Sequence, residues 1–309
     1  MERSLIIGSR GSKLALWQAE QIQSQLRTTQ PKLTVTIEII KTTGDVKPDP
    51  LSVIGGKGVF TKELEDALLA RRIDLAVHSL KDLPTIVPER LTIAAICERD
   101  DPRDALVLRT QSSIASLLEL PTGAIVGTSS QRRLAQLRAK RPDVTVRDLR
   151  GNVDTRIRKL DEGQYDALIL AAAGLRRLGV ENRISIAIPT DEMLPAVGQG
   201  AIAVETRSDD EFAIAAVRKL DHAVTRVACL AERSLLRSLG GGCQFPIAAH
   251  GVFTSEQLRL DALVATPDGS RILRANVTGA ASQPEELGQL LASQLREAGA
   301  DELLSEFLS

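Results

Sequence analysis

Leu5-Ile6-Ile7-Gly8-Ser9-Arg10-Gly11-Ser12 is an apolar run that breaks into a Gly/Ser turn, and Leu14, Leu16, Trp17, Ile22 and Leu26 then follow at helical spacing. A short apolar strand that feeds a helix through such a turn is the repeating unit of an α/β sheet. Ser12 stands where a helix N-cap belongs. The unit recurs. Ala124-Ile125-Val126 runs into Gly127-Thr128-Ser129-Ser130, followed by a helix carrying Arg132 and Arg133. Asp74-Leu75-Ala76-Val77 is echoed in the same way by Asp166-Ala167-Leu168-Ile169. The sequence therefore predicts two similar α/β lobes.

Between these units the first lobe has a strand over residues 35–40, a long Gly/Pro/Lys stretch over 41–58, and a helix beginning near Thr61. That helix has Glu63, Glu65 and Asp66 early and Arg71-Arg72 late, which complements its dipole. Arg99-Asp100-Asp101-Pro102-Arg103 reads as a crossing between lobes. A strand over 201–205, after Pro195-Ala196-Val197-Gly198-Gln199-Gly200, is expected to return to the first lobe. Two crossings make a double hinge. The remainder reads as a helix over 223–239, strands over 247–253, 258–264 and 271–277 with Pro267-Asp268-Gly269 as a hairpin, and a closing helix over 284–298. The expected fold class is thus α/β: two similar binding-protein-like lobes joined by a double hinge, plus a small α+β third domain. The predicted boundaries are 1–98 with 199–219, 104–194, and 220–309.

With 309 residues and 43% hydrophobic content the chain can bury more than one core. A formal charge of −1 and 2% aromatic residues argue against a nucleic-acid partner. No run of eighteen apolar residues exists and the N-terminus lacks a signal-peptide pattern, so a cytoplasmic protein with no membrane partner is expected, or a plastid stromal one if a transit peptide has been removed. Three cysteines (Cys97, Cys229, Cys243) and three histidines lack metal-ligand spacing, so neither a disulfide framework nor a metal is expected.

The chemistry concentrates in a few places. Gly240-Gly241-Gly242-Cys243 displays one thiol on a loop after a helix that the glycines stop, a setting suited to covalent attachment. The bland alternative is a small inert residue in a turn, because a reactive thiol must be accessible and activated. Cys97 and Cys229 read as core. The two Gly/Ser turns could bind anions through helix-start N–H groups, or could be plain caps. Arg132-Arg133 and Arg176-Arg177 could be solvated helix faces. Arg150-Gly151-Asn152-Val153-Asp154-Thr155-Arg156 is a stronger anion candidate, since both arginines flank one glycine turn. Neither a P-loop nor a dinucleotide fingerprint is complete, so carboxylate is the preferred anion. Asp82, beyond a strand end with Ser79 and Lys81, could exchange a proton or stabilise a cation, or could be a turn residue. His78 reads as a strand-end packing residue.

Seven ordered motifs carry a resemblance over nearly the whole chain: Ser9–Leu16 (SRGSKLAL), Gly55–Phe60 (GGKGVF), Ala76–Pro84 (AVHSLKDLP), Gly127–Arg133 (GTSSQRR), Arg150–Val153 (RGNV), Pro195–Gly200 (PAVGQG) and Gly241–Gln244 (GGCQ). The chain resembles the hydroxymethylbilane synthase, or porphobilinogen deaminase, family. Gly240, and Ala248-Ala249-His250 after the cysteine loop, depart from the family's usual residues.

The resemblance implies a transferase that joins four porphobilinogen molecules head to tail, releases ammonia at each addition and frees linear hydroxymethylbilane with water. It implies a dipyrromethane cofactor, bound covalently through Cys243, on which the oligopyrrole grows. Asp82 would be catalytic, helping to protonate the departing amine and then holding pyrrole N–H groups as positive charge develops. Lys81, Ser129, Arg132 and Arg133 would bind the cofactor with Asp82. Arg10, Ser12, Lys57, Ser79, Arg150, Arg156, Arg177, Gln199 and Arg233 would receive the substrate's acetate and propionate groups, with Arg176 left as an alternative to Arg177. A monomer is expected on the same ground. A non-catalytic carboxylate- or sulfate-binding protein is the competing reading, and an arginine-rich nucleic-acid module is a weaker one.

Overall fold

The computed structural model describes residues 4–43, 61–109, 114–242, 245–254 and 257–306. The chain forms two compact units, Met1–Asp100 with Ala201–Val227, and Asp101–Gly200 with Ala228–Ser309. The first begins with β1 (Ser4–Ser9), α1 (Lys13–Thr29), β2 (Thr34–Ile39), α2 (Lys62–Leu69), β3 (Leu75–Ser79) and β4 (Leu91–Ile96). The second then runs through β5 (Asp104–Leu108), β6 (Ile125–Gly127), α3 (Gln131–Lys140), β7 (Thr145–Arg147), α4 (Val153–Asp161), β8 (Ala167–Ala171), α5 (Ala172–Arg177) and β9 (Ile186–Ala187). The chain returns to the first unit as β10 (Ile202–Arg207) and α6 (Glu211–Val217), and α7 (Ala223–Ser238) leads into the last part. There β11 (Ile247–Thr254), β12 (Gln257–Ala265), β13 (Ile272–Ala280), α8 (Pro284–Glu297) and α9 (Ala300–Ser305) complete the second unit.

Two five-stranded sheets have matching construction. The first has the order β2-β1-β3-β10-β4 and the second β7-β6-β8-β5-β9. In each, three neighbouring strands are parallel, and the fourth is antiparallel to both of its neighbours. That antiparallel strand, β10 or β5, is the one the chain enters just after leaving the other unit. The sequence echo is therefore a true repeat of architecture, and the fold is α/β with two like lobes and an additional antiparallel sheet, β11-β12-β13.

Alternation of side chains along the strands builds a core on both faces of each large sheet. In the first unit Leu5, Ile7, Val35 and Val77 join Ile22 and Leu26 of α1, whereas Ile6 and Ala76 join Leu64 and Leu68 of α2. In the second, Leu106 and Ile169 serve one face and Val107 and Leu170 the other. The antiparallel sheet is tied to α3 within its unit, with Ala248, Leu263 and Ala265 against Ala135 and Leu194. Cys97 and Cys229 are buried, as expected of core thiols.

Candidate functional site

β1 and β3 are adjacent and parallel, so the turns that follow them emerge at the same carboxyl edge of the first sheet. There α/β sheets place their ligands. Ser12 caps α1 by accepting from the Ala15 amide at 3.3 Å. Beside it stand Arg10, half-buried, and Ser79, whose Oγ accepts from Gln18 Nε2 at 2.8 Å. β3 then closes into a 3₁₀ turn, Leu80–Asp82, pinned by Leu80 N donating to Ala201 O at 3.0 Å. Leu80 and Leu83 are buried, which turns Lys81 half outward and leaves Asp82 exposed. The carboxylate is thus carried at a sheet edge by a hydrogen-bonded turn whose flanking leucines are buried.

His78, two residues before this turn, is buried as expected of a strand-end packing residue, but it has a partner that the sequence does not suggest. Its Nε2 lies 3.0 Å from Oε2 of the fully buried Glu205 on β10. Burial and then the charge on Glu205 push the neighbouring Glu65 carboxyl up.

The carboxyl edge of the second sheet gathers the arginines. Ser129 Oγ donates to Leu149 O at 3.1 Å, which ties the turn after β6 to the segment after β7. Arg150 pairs with Asp148 at 3.0 Å, and Arg156 Nε donates to Gly151 O at 2.7 Å. Gly151 has φ +108°, and a Cβ there would come within 2.8 Å of Thr155, so this turn requires glycine.

Arg132 and Arg133 are buried rather than solvated, and both meet Asp104. Arg132 Nη1 donates to Asp104 Oδ2 at 2.6 Å and to Leu194 O at 2.8 Å. Arg133 donates through Nε and Nη2 to Asp104 Oδ1 at 3.0 and 2.8 Å, and through Nη1 to Ile169 O at 2.9 Å. Gln199 Nε2 reaches the same carboxylate at 2.9 Å and Pro102 O at 2.8 Å. Burial opposes ionisation of Asp104, but the charges of Arg132 and Arg133 outweigh it and hold the carboxyl far below the usual range. Arg132 Nε is buried without a hydrogen-bond partner.

Two adjacent arginines on α5 separate cleanly. Arg177 is buried and donates to Gly200 O at 2.5 Å, whereas Arg176 is exposed and pairs with Asp101 at 3.2 Å. Arg233 is buried on α7.

The glycines before residue 243 do what their spacing predicts. Gly240 has φ +67°, its amide donates to Arg237 O at 3.0 Å, and the Gly241 amide donates to Leu236 O at 3.1 Å. This pair of bonds is a Schellman stop, and it explains the additional glycine at 240. Phe245 N donates to Gly242 O at 3.0 Å, so the chain on either side is held close. Cys243 and Lys57 themselves lie outside the described residues. The helix that leads to Cys243 is anchored by Glu232, fully buried, which accepts from Gly198 N at 2.7 Å and Gly251 N at 2.8 Å.

Asp104, Glu205 and Glu232 are what sequence reading passed over. Asp104 heads the apolar run of β5 and Glu205 directly follows Ile202-Ala203-Val204, and that was the available signal, because a buried carboxylate needs a partner; Glu232, among the charged residues of α7, gave none. Among the described residues no helix is long and apolar enough to cross a membrane, and no group of three His, Cys, Asp or Glu could hold a metal.

Residues 5–215 match the family model described as porphobilinogen deaminase, dipyromethane cofactor binding domain, and residues 226–297 match the porphobilinogen deaminase C-terminal domain. A porphobilinogen deaminase of Chlorobium luteolum is 50% identical over 311 residues, covering 99% of this chain and 98% of the relative. That of Desulforudis audaxviator is 51% identical over 306 residues, with the same coverage. Among solved structures, the BenM effector-binding domain with benzoate covers 71% of this chain and 90% of its own at 15% identity and a TM-score of 0.45, too distant to add to the sheet topology. With motifs at both sheet edges and family matches along nearly its whole length, this chain belongs to the porphobilinogen deaminase family.

Proposed function

We propose that the chain joins four porphobilinogen molecules head to tail on a dipyrromethane held by Cys243 through a thioether, with Asp82 as the catalytic carboxylate, and releases hydroxymethylbilane. The chain is an enzyme, a transferase of its family. When bound, dipyrromethane supplies a nucleophilic pyrrole carbon. The donor set suits such a group: guanidiniums at the carboxyl edge of the second sheet, and Arg132 Nε buried with no partner, match a ligand rich in carboxylates.

Asp82, protonated, gives its proton to the amine of porphobilinogen as the carbon–nitrogen bond breaks and ammonia leaves. Ionised, it accepts from the pyrrole N–H and stabilises the positive charge that develops on the ring; a fixed charge there lowers the barrier directly. Lys81, Ser129, Arg132 and Arg133 hold the cofactor's carboxylates. Arg10, Ser12, Lys57, Ser79, Arg150, Arg156, Arg177, Gln199 and Arg233 receive those of porphobilinogen and the growing oligopyrrole. A monomer working in the cytoplasm belongs to the same reading.

The observation that carries the proposal is the cluster of guanidiniums at one sheet edge in a chain whose family binds this cofactor. Its test is Asp82→Asn. The variant retains the covalent adduct and loses turnover by about 10²–10³-fold, the usual effect of removing one preorganised stabilising group. An unchanged kcat would show that the carboxylate is dispensable.

A further inference from the structure

We infer that Asp104 is a positioning residue for this reaction: a wholly buried carboxylate that fixes the guanidiniums of Arg132 and Arg133, together with Gln199, in advance of ligand binding. The inference rests on the proposed role of these residues in holding carboxylates. Asp104 itself belongs to none of the motifs that carry the family resemblance.

Asp104 sits at the head of β5 with no exposed surface, and its two oxygens receive N–H groups from Arg132, Arg133 and Gln199. Each arginine has a second tether to a backbone carbonyl, Leu194 O for Arg132 and Ile169 O for Arg133. A guanidinium held by a carboxylate on one side and a carbonyl on another has lost its rotamer freedom before any ligand arrives. Preorganisation of this kind is what strengthens binding, because the ordering cost has already been met in folding.

The charge count points the same way. Two buried guanidiniums share one buried carboxylate, which leaves one positive charge unbalanced in a region nearly closed to water. A cluster serving stability alone is better off with one cation per anion, since an uncompensated buried charge is costly. The excess, with Arg132 Nε still lacking an acceptor, makes the cluster incomplete until another carboxylate joins it. Asp104 thus does two things: it holds both arginines still, and it cancels one of their charges, so that a single anion completes the set.

The test compares Asp104→Glu, Asp104→Asn, Arg132→Gln and Arg133→Gln in the full-length purified protein. Intact mass gives the fraction carrying the dipyrromethane adduct as purified, and, for each protein produced in cells that make no porphobilinogen, titration with porphobilinogen gives the concentration for half-maximal gain of that mass. Thermal melting is recorded on the same samples. Asp104→Glu keeps the charge but moves it by one methylene, so it melts cooperatively and needs on the order of 10–100-fold more porphobilinogen for half-loading, the range typical of losing a residue that orients a ligating group. Asp104→Asn is affected at least as strongly. Should Asp104→Asn not fold, Asp104→Glu decides. Half-loading at the wild-type concentration in folded Asp104→Glu, with Arg132→Gln or Arg133→Gln impaired, overturns the inference and leaves the arginine assignment standing. So does a lowered melting temperature with unchanged loading of the folded fraction, which marks a purely structural acid. Normal loading in both arginine variants overturns the arginine assignment itself.

Discussion

At Asp104, burial and two arginines act in opposite senses, and the arginines win. Because the folded pKa lies below the unfolded value of about 3.9, the stabilisation is complete above that value and is lost as pH falls through the folded pKa. Melting temperature should therefore fall more steeply with acid below about pH 4 in the wild type than in Asp104→Asn; parallel acid limbs would show that Asp104 does not carry this linkage. The individual residues were unevenly legible. Asp82 follows a strand end, a place that suits a turn residue equally, and Arg150 and Arg156 were the stronger candidates by flanking a glycine. Asp104 did not, because its meaning depends on Arg132, Arg133 and Gln199, which lie 28, 29 and 95 residues away along the chain. A solvated pair stayed open as an alternative for Arg132 and Arg133 for the same reason: their counter-ion is remote in sequence.

The helices with visible caps were readable. Ser12 before α1, the glycines after α7, and Pro284 with Glu285 and Glu286 at the start of α8 all mark ends by local chemistry. β9, with two residues, offers no periodicity to read. The antiparallel direction of β5 and β10 was equally hidden, since both strands are buried along their whole length and their side-chain pattern is the same whichever way they point. Close approaches between elements were hidden too. A Cβ on Gly288 of α8 would come within 2.4 Å of Ala231 O and 2.8 Å of Leu235 N on α7, both backbone atoms. Gly288→Ala must push apart the helix that leads to Cys243 and the helix packed on it, at a cost of about 1–3 kcal/mol. Chemical denaturation that gives equal stability for this variant and the wild type would contradict the packing account.

Across the whole molecule, the short echoes after β1 and β6 and at the start of β3 and β8 were enough to anticipate two like lobes, because each marks the same strand in the same sheet order. The return of residues 201–205 to the first unit was legible from the return crossing; that β5 takes the equivalent place in the second sheet emerged only from the pairing. The central chemical claim still turns on one atom, the sulfur of Cys243. It is tested most directly by the intact mass of freshly purified protein beside that of Cys243→Ser. The account predicts a wild-type chain heavier by one dipyrromethane and a folded, inactive variant at its bare mass. A variant that still carries the adduct, or that turns over porphobilinogen at the wild-type rate, would contradict it.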